Sequence, residues 1–312
     1  MALLVQYLLV YEVVLVLVAI GGCFSEHGGI INLGLEGIMV IGAMAGILSM
    51  EFFADSQPFV IVFMAMLMSV ISGMLYSLLL GVAAIRFKAD QVLVGTALNL
   101  LGTAAATVVI KAYNMSIDPI NISSEIRYIE QKKAFVVNVF GMELSWLFFV
   151  AAAVLIISLI VLYRTKFGLR LMACGENPAA ADNVGINVSR MRYYGVLISG
   201  ALAGLGGLAY ATAGVSSMTF EKGVAGFGFL ALTVMIFGQW RPDYIALAGL
   251  IFGFFRALSN VYGGFDFLSA LNIPGPFYNI QPYLISLIVL IFVSKRSKAP
   301  KAEGIPYDKE KR

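Results

Sequence analysis

Charge is what this chain has least of. Only 12% of its 312 residues are Asp, Glu, Lys or Arg, against roughly a quarter in a soluble domain, and no Lys or Arg precedes Arg86. With 60% hydrophobic residues and a mean hydropathy of +0.89, the composition is that of a membrane protein, with no soluble domain of any size left over. Cysteine is nearly missing as well. Cys23 and Cys174 stand far apart in different kinds of segment, so there is neither a disulfide framework nor a metal-ligand spacing, and both read as packing residues. The one histidine, His27, sits beside glycines at a span end and reads as interfacial. No phosphate-binding GxxxxGK[ST], HExxH, CxxC pair or catalytic triad occurs. A membrane enzyme is disfavoured, and no cofactor of its own is expected.

What fills the chain is a succession of apolar runs, each near the ~20 residues that cross ~30 Å of hydrocarbon. They fall at 3–22, 35–53, 59–82, 91–111, 144–163, 193–213, 225–238, 244–262 and 281–294. The expected fold is all-α and polytopic, with about 8–10 transmembrane helices, some broken or re-entrant. Residues 1–294 form the membrane domain and 295–312 a basic cytoplasmic tail. The opening residues lack the basic region of a cleaved signal and run straight into the first span. Fifteen of the 21 Lys and Arg residues lie at Arg86 and Lys88, in 164–192, at Arg241 and in the tail. The spans above put all four places on one side, which the positive-inside rule makes cytoplasmic, and put 112–143 outside. The N-terminus falls outside by parity alone.

The longest charged interruption is Arg164 to Arg192, RTKFGLRLMACGENPAAADNVGINVSRMR. Asn177 is a good N-cap acceptor and Pro178 suits the first helical position. The spacing predicts about two helical turns over Pro178 to Val184, ended by Gly185. Either this is a polar turn between spans or it is a docking helix on the membrane surface, and its length favours docking. FGLRLMACGENPAAADNVGI resembles the cytoplasmic coupling loop of ABC importer permeases that move branched-chain amino acids, simple sugars and nucleosides. FSEHGGIINLGLEGIMVIGAMAG (Phe24 to Gly46) and GFGFLALTVMIFGQWRP (Gly226 to Pro242) resemble the same family, closest to its nucleoside-type members.

The resemblance implies a cell-membrane, multi-pass permease subunit of a bacterial importer. Its partners would be a second, related permease subunit, a cytoplasmic ATP-binding subunit or tandem ATPase that binds the ATP, and an extracytoplasmic substrate-binding protein. Gly175, Glu176, Asn177, Pro178, Ala179, Ala180 and Gly185 would carry ATPase coupling. The solute implied is a nucleoside, with riboflavin or a simple sugar as alternatives. A stand-alone ion-coupled transporter using Glu12 and Glu36 is the competing class. Anionic lipid, rather than nucleic acid, suits the tail, where basic residues alternate with acidic residues and prolines.

Backbone that leaves the helix at membrane depth needs protein or a wet cavity around it, and such breaks often mark a solute path. Gly28-Gly29 and Gly34 bracket Asn32, Gly223 to Gly228 holds three glycines, and Leu271 to Pro282 holds Gly275 and three prolines. Intramembrane polar residues are costly and therefore informative. Glu36 either caps a helix N-terminus or faces a cavity. Asn99 is an interhelical hydrogen-bonding residue or a ligand contact, and Arg256 snorkels outward or pairs with an acid such as Glu36. Phe220, Phe227 and Phe229 surround the second break, as packing residues or as rings that sandwich a base. The resemblance implies that a basic residue often stands where this chain has Phe227. Asn32, Glu36, Asn99, Phe227, Phe229 and Arg256 are the candidates for the path. Gly73, Gly81, Gly200, Gly204, Gly206 and Gly207 read as close-packing positions.

Overall fold

The computed structural model describes residues 2–139, 142–213, 217–264, 277, 280–285, 287 and 298–308. Eleven helices and four short strands occur among them: α1 (Ala2–His27), α2 (Leu35–Phe52), α3 (Pro58–Gly81), α4 (Gln91–Ile117), β1 (Glu125–Arg127), α5 (Ile129–Lys132), β2 (Val136–Val139), β3 (Met142–Ser145), α6 (Trp146–Arg164), α7 (Lys166–Glu176), α8 (Pro178–Asn183), α9 (Val188–Thr212), β4 (Ser217–Thr219), α10 (Phe227–Phe237) and α11 (Pro242–Val261). Eight stretches are long and apolar enough to cross a membrane, and they coincide with the first eight runs expected from sequence. The ninth run, 281–294, and the break at Leu271 to Pro282 lie largely outside the described residues.

Helix starts follow side-chain chemistry. Asp90 accepts from Leu93 N at 2.9 Å to open α4, Asn187 from Arg190 N at 2.9 Å to open α9, and Pro58 and Pro242 occupy first turns where no donor is needed. The core is built around α9, which packs on α1, α2 and α3. Contact there is backbone on backbone. A Cβ on Gly204 would overlap the Ser69 carbonyl oxygen and lie 3.3 Å from Gly73 Cα, and one on Gly42 would overlap Gly204 Cα. Three helices therefore cross through glycine, where small residues let dispersion contacts replace the absent hydrophobic drive. In α3, α4 and α6 long apolar side chains such as Phe63, Leu100 and Ile156 stay exposed, as suits lipid or a second membrane subunit.

At one end, β1 pairs antiparallel with β4, setting Ile126 opposite Met218, and Lys111 joins Glu221 at 2.6 Å. Residues 112–143, expected only as an outer loop, thus supply β1 to this ribbon and β2 with the start of β3 to a second. At the opposite end the basic places come together. Lys88 meets Asp308 at 2.6 Å, Lys298 N bonds Gln239 Oε1 at 3.0 Å, and Tyr307 bonds Asp182 at 2.9 Å. Residues 298–308 are folded onto this face.

Candidate functional site

Two helices begin inside the membrane layer. Asn32 Nδ2 donates to Ser199 Oγ at 2.8 Å, and Ser199 is about 16 Å along α9 from its N-terminal end at 1.5 Å per residue. Residues 28–34 therefore climb from the C-terminal end of α1 to mid-depth as non-helical backbone, and α2 starts there. The backbone groups of this segment are satisfied by side chains. Asn32 Oδ1 accepts from Gly34 N at 3.1 Å, Gln91 Oε1 from Ile31 N at 2.7 Å, Asn99 donates to Leu33 O at 2.8 Å, and Asn99 Oδ1 accepts from Gly37 N at 2.8 Å. Asn32 is fully buried; its oxygen serves the break and its NH2 ties the break to α9, while Asn99 spends both ends of its amide on the backbone around the start of α2.

The second break meets the first at Glu36. Its carboxylate accepts from Gly226 N at 2.8 Å and Gly228 N at 2.7 Å, so it caps α10 rather than its own helix. A negative group there complements the exposed donors and dipole of a helix start. Gly226 takes φ +79°, which only glycine adopts freely, and a Cβ on Gly228 would lie 2.5 Å from Glu36 N. At 11 residues, α10 is ~16 Å long, about half a bilayer. The pairing of Glu36 with Arg256 that the sequence left open is absent among the described residues.

Arg256 lies instead against rings. Its guanidinium carbon is 5.2 Å from the Phe227 centroid and 6.0 Å from that of Tyr11, within cation–π range. Phe227 packs in turn, tilted, against Tyr11 (5.4 Å) and Tyr210 (5.0 Å), and Asn260 bonds the Tyr11 hydroxyl. The Arg256 Nε is buried with no hydrogen-bond partner among the described residues. Phe227 is 1% exposed and Phe229 is 45% exposed, because two residues on a helix differ by ~200° of turn. The structure thus brings Glu36, Phe227 and Arg256 to one neighbourhood of α2, α10 and α11. Phe229 faces outward, and Asn32 and Asn99 serve the break.

On the face that carries the 164–192 interruption, Asn177 Oδ1 accepts from Ala180 N at 3.0 Å, Pro178 opens α8, and Gly185 follows with φ +83°. Glu176, Asn177, Ala179, Ala180 and Gly185 are exposed and Pro178 half-buried. Gly175 differs. It is buried, and a Cβ on it would overlap the carbonyl oxygen of His27, so it seats α7 on the end of α1 and has no surface for a partner. Cys174 beside it is buried too, and that burial pushes its thiol up to about 11.

The model of a family described as branched-chain amino acid transport system / permease component matches residues 4–294. The chain belongs to this permease family. It is 38% identical over 316 residues to the nucleoside ABC transporter permease protein NupC of Lactococcus lactis subsp. cremoris, covering 99% of this chain and 97% of that protein. It is 36% identical over 316 residues to the guanosine ABC transporter permease protein NupQ of Bacillus subtilis, covering 100% and 98%. A second Lactococcus protein, the nucleoside ABC transporter permease protein NupB, is 26% identical over 248 residues, covering 76% and 67%. No solved structure matches significantly. Membership of the family sets aside the stand-alone ion-coupled transporter, and the permease is a multi-pass membrane protein.

Three parts of the permease's site escape a reading of its sequence. Helix α7 lies inside the charged interruption, where Phe167, Leu171 and Cys174 recur at spacings of four and three, the signal of a short amphipathic helix. Tyr11 and Tyr210 lie within apolar runs where nothing local sets them apart. The third is the α10–α11 turn, where Gln239 and Trp240 both take positive φ. Its Trp240 carbonyl accepts from Cys23 Sγ at 3.2 Å and lies 2.9 Å from His27 Nε2, tying the GQWRP stretch to α1.

Proposed function

We propose that this permease is the membrane subunit of an ABC importer for nucleosides, driven by ATP hydrolysed on a separate cytoplasmic subunit. The observation that carries the reading is the end-to-end likeness to proteins named for nucleoside and guanosine transport. NupB and NupC are separate permease proteins of one organism, which supports a related second permease subunit as partner. An extracytoplasmic binding protein would deliver solute to the face bearing the β1–β4 ribbon, in a bacterial cytoplasmic membrane. The exposed edge formed by Glu176, Asn177, Ala179, Ala180 and Gly185 would meet the ATPase, with Pro178 starting the helix and Gly175 anchoring it. Glu36, Phe227 and Arg256 would flank the solute path and Phe229 would face it. Asn32 and Asn99 would hold the break in shape. The exposed ring of Phe229 offers a face on which a base can stack.

The deciding experiment is uptake of a radiolabelled nucleoside by the reconstituted importer, challenged with unlabelled competitors. Purine or pyrimidine nucleosides should compete, while riboflavin and free sugars should not. Competition by riboflavin or a sugar alone would overturn the substrate assignment and leave the importer class standing.

A further inference from the structure

Residues 298–308 cross the cytoplasmic face and bond to several elements whose movement matters for transport. Ala302 N donates to Gly175 O at 2.8 Å, at the end of α7. Gly304 N donates to Gly29 O at 3.2 Å, at the foot of the non-helical segment. Arg192 of α9 donates from Nη1 to Ile305 O at 3.1 Å. Tyr307 donates to Asp182 Oδ2 of α8 at 2.9 Å, and Asp308 pairs with Lys88 beyond α3 at 2.6 Å. One short stretch of chain therefore touches the coupling helix at one end and the base of the first break nearby.

Arg192 is the pivot of this arrangement. It is 1% exposed, and a Cβ on Gly29 would lie 2.9 Å from its Nη2, so its guanidinium lies directly under the break. Its Nε and Nη2 have no hydrogen-bond partner among the described residues. A buried guanidinium is costly unless its donors are satisfied, and the bond that Arg192 does make is to the strap. Any shift of the strap is therefore felt at Gly29, and through residues 29–34 at the start of α2, where Glu36 joins α10.

We propose that residues 298–308 act as a strap that moves with α8 and carries its displacement to the foot of the first break, with Tyr307 and Arg192 as positioning residues for transport. This rests on the reading of α8 as the ATPase contact. It differs from that reading in where the force goes: through the strap to the break, in addition to any path through α7 and α9.

The test uses the whole importer in proteoliposomes, with ATP hydrolysis, uptake and retention of the ATPase subunit measured on the same preparation. Deleting residues 298–312 should leave the ATPase subunit bound and hydrolysing while uptake per ATP falls about five- to ten-fold, the lower range of coupling between sites. Tyr307→Phe, which keeps the ring and removes one hydrogen bond, should lower uptake per ATP about two- to three-fold. Failure of the intact permease to bind or stimulate the ATPase would overturn the reading of α8 itself. A coupled wild type together with unchanged uptake per ATP in Tyr307→Phe would overturn the strap. Where the deletion does not assemble, Tyr307→Phe decides alone.

Discussion

At Glu36 two carboxylate oxygens accept two backbone N–H groups, and a glutamine at this position has one oxygen to offer. Glu36→Gln should leave one buried N–H of α10 facing an amide NH2, at a cost of about 1–3 kcal/mol. The expected readout is a lower melting temperature of the purified complex together with reduced uptake; normal values of both would deny Glu36 its role as the joint. Glu303 offers a different test, because it lies outside the spans. Burial holds its carboxyl above the usual carboxylate range, although its bond with Glu26 pulls the other way. Two carboxyl groups can share a hydrogen bond only with a proton between them. A group whose folded pKa is raised stabilises the docked form fully below its ordinary pKa, and that stabilisation is lost as pH rises through the raised value. A spin label at Lys301→Cys should therefore become more mobile as pH increases, and Glu303→Gln should flatten that profile. A wild-type label insensitive to pH would contradict the argument.

The helices divide by how they are held. Where α9 crosses α2 and α3 the contact is glycine against backbone, so Gly204→Leu should force the helices apart and sharply reduce the yield of assembled complex, measured by size-exclusion chromatography. At six residues, helix α8 is too short to stand on propensity and depends on its cap. Asn177→Ala should cost about 1 kcal/mol of local stability, visible as faster amide exchange over 178–183 and a lower uptake per ATP; unchanged exchange would mean that packing alone sets the helix. These contrasts explain which elements can be read from sequence. Eight spans and the start and stop of α8 follow from hydropathy, Asn177, Pro178 and Gly185, all of them local signals. The cap on α10 comes from Glu36, nearly 200 residues away in sequence, and the strap's bonds to Gly29, Asp182 and Arg192 are equally remote. The candidate path residues were found as costly polar or aromatic groups. Their sorting into joint (Glu36), ring cluster (Phe227, Arg256), outward face (Phe229) and backbone support (Asn32, Asn99) depends on that same long-range pairing.

For the molecule as a whole, the two ends carry different chemistry: basic places joined by the strap on one, two ribbons on the other. A cysteine at exposed Ser189 should react with an impermeant thiol reagent only from the cytoplasmic side, and one at exposed Ser123 only from outside; reaction of both from one face would overturn the arrangement of spans. The joint at Glu36 also sets a clock on biosynthesis. Glu36 enters the membrane with α2, but the N–H groups it needs belong to residues 190 and 192 positions later. At about 5–20 residues per second, the ribosome takes roughly 10–40 s to supply them. Throughout that interval the nascent chain holds a carboxyl group in or beside the bilayer without its final partners, at a cost on the order of 2.5–3.5 kcal/mol at mid-depth. Chains that stall before α10 therefore carry at Glu36 an acid whose two backbone donors have not yet been made.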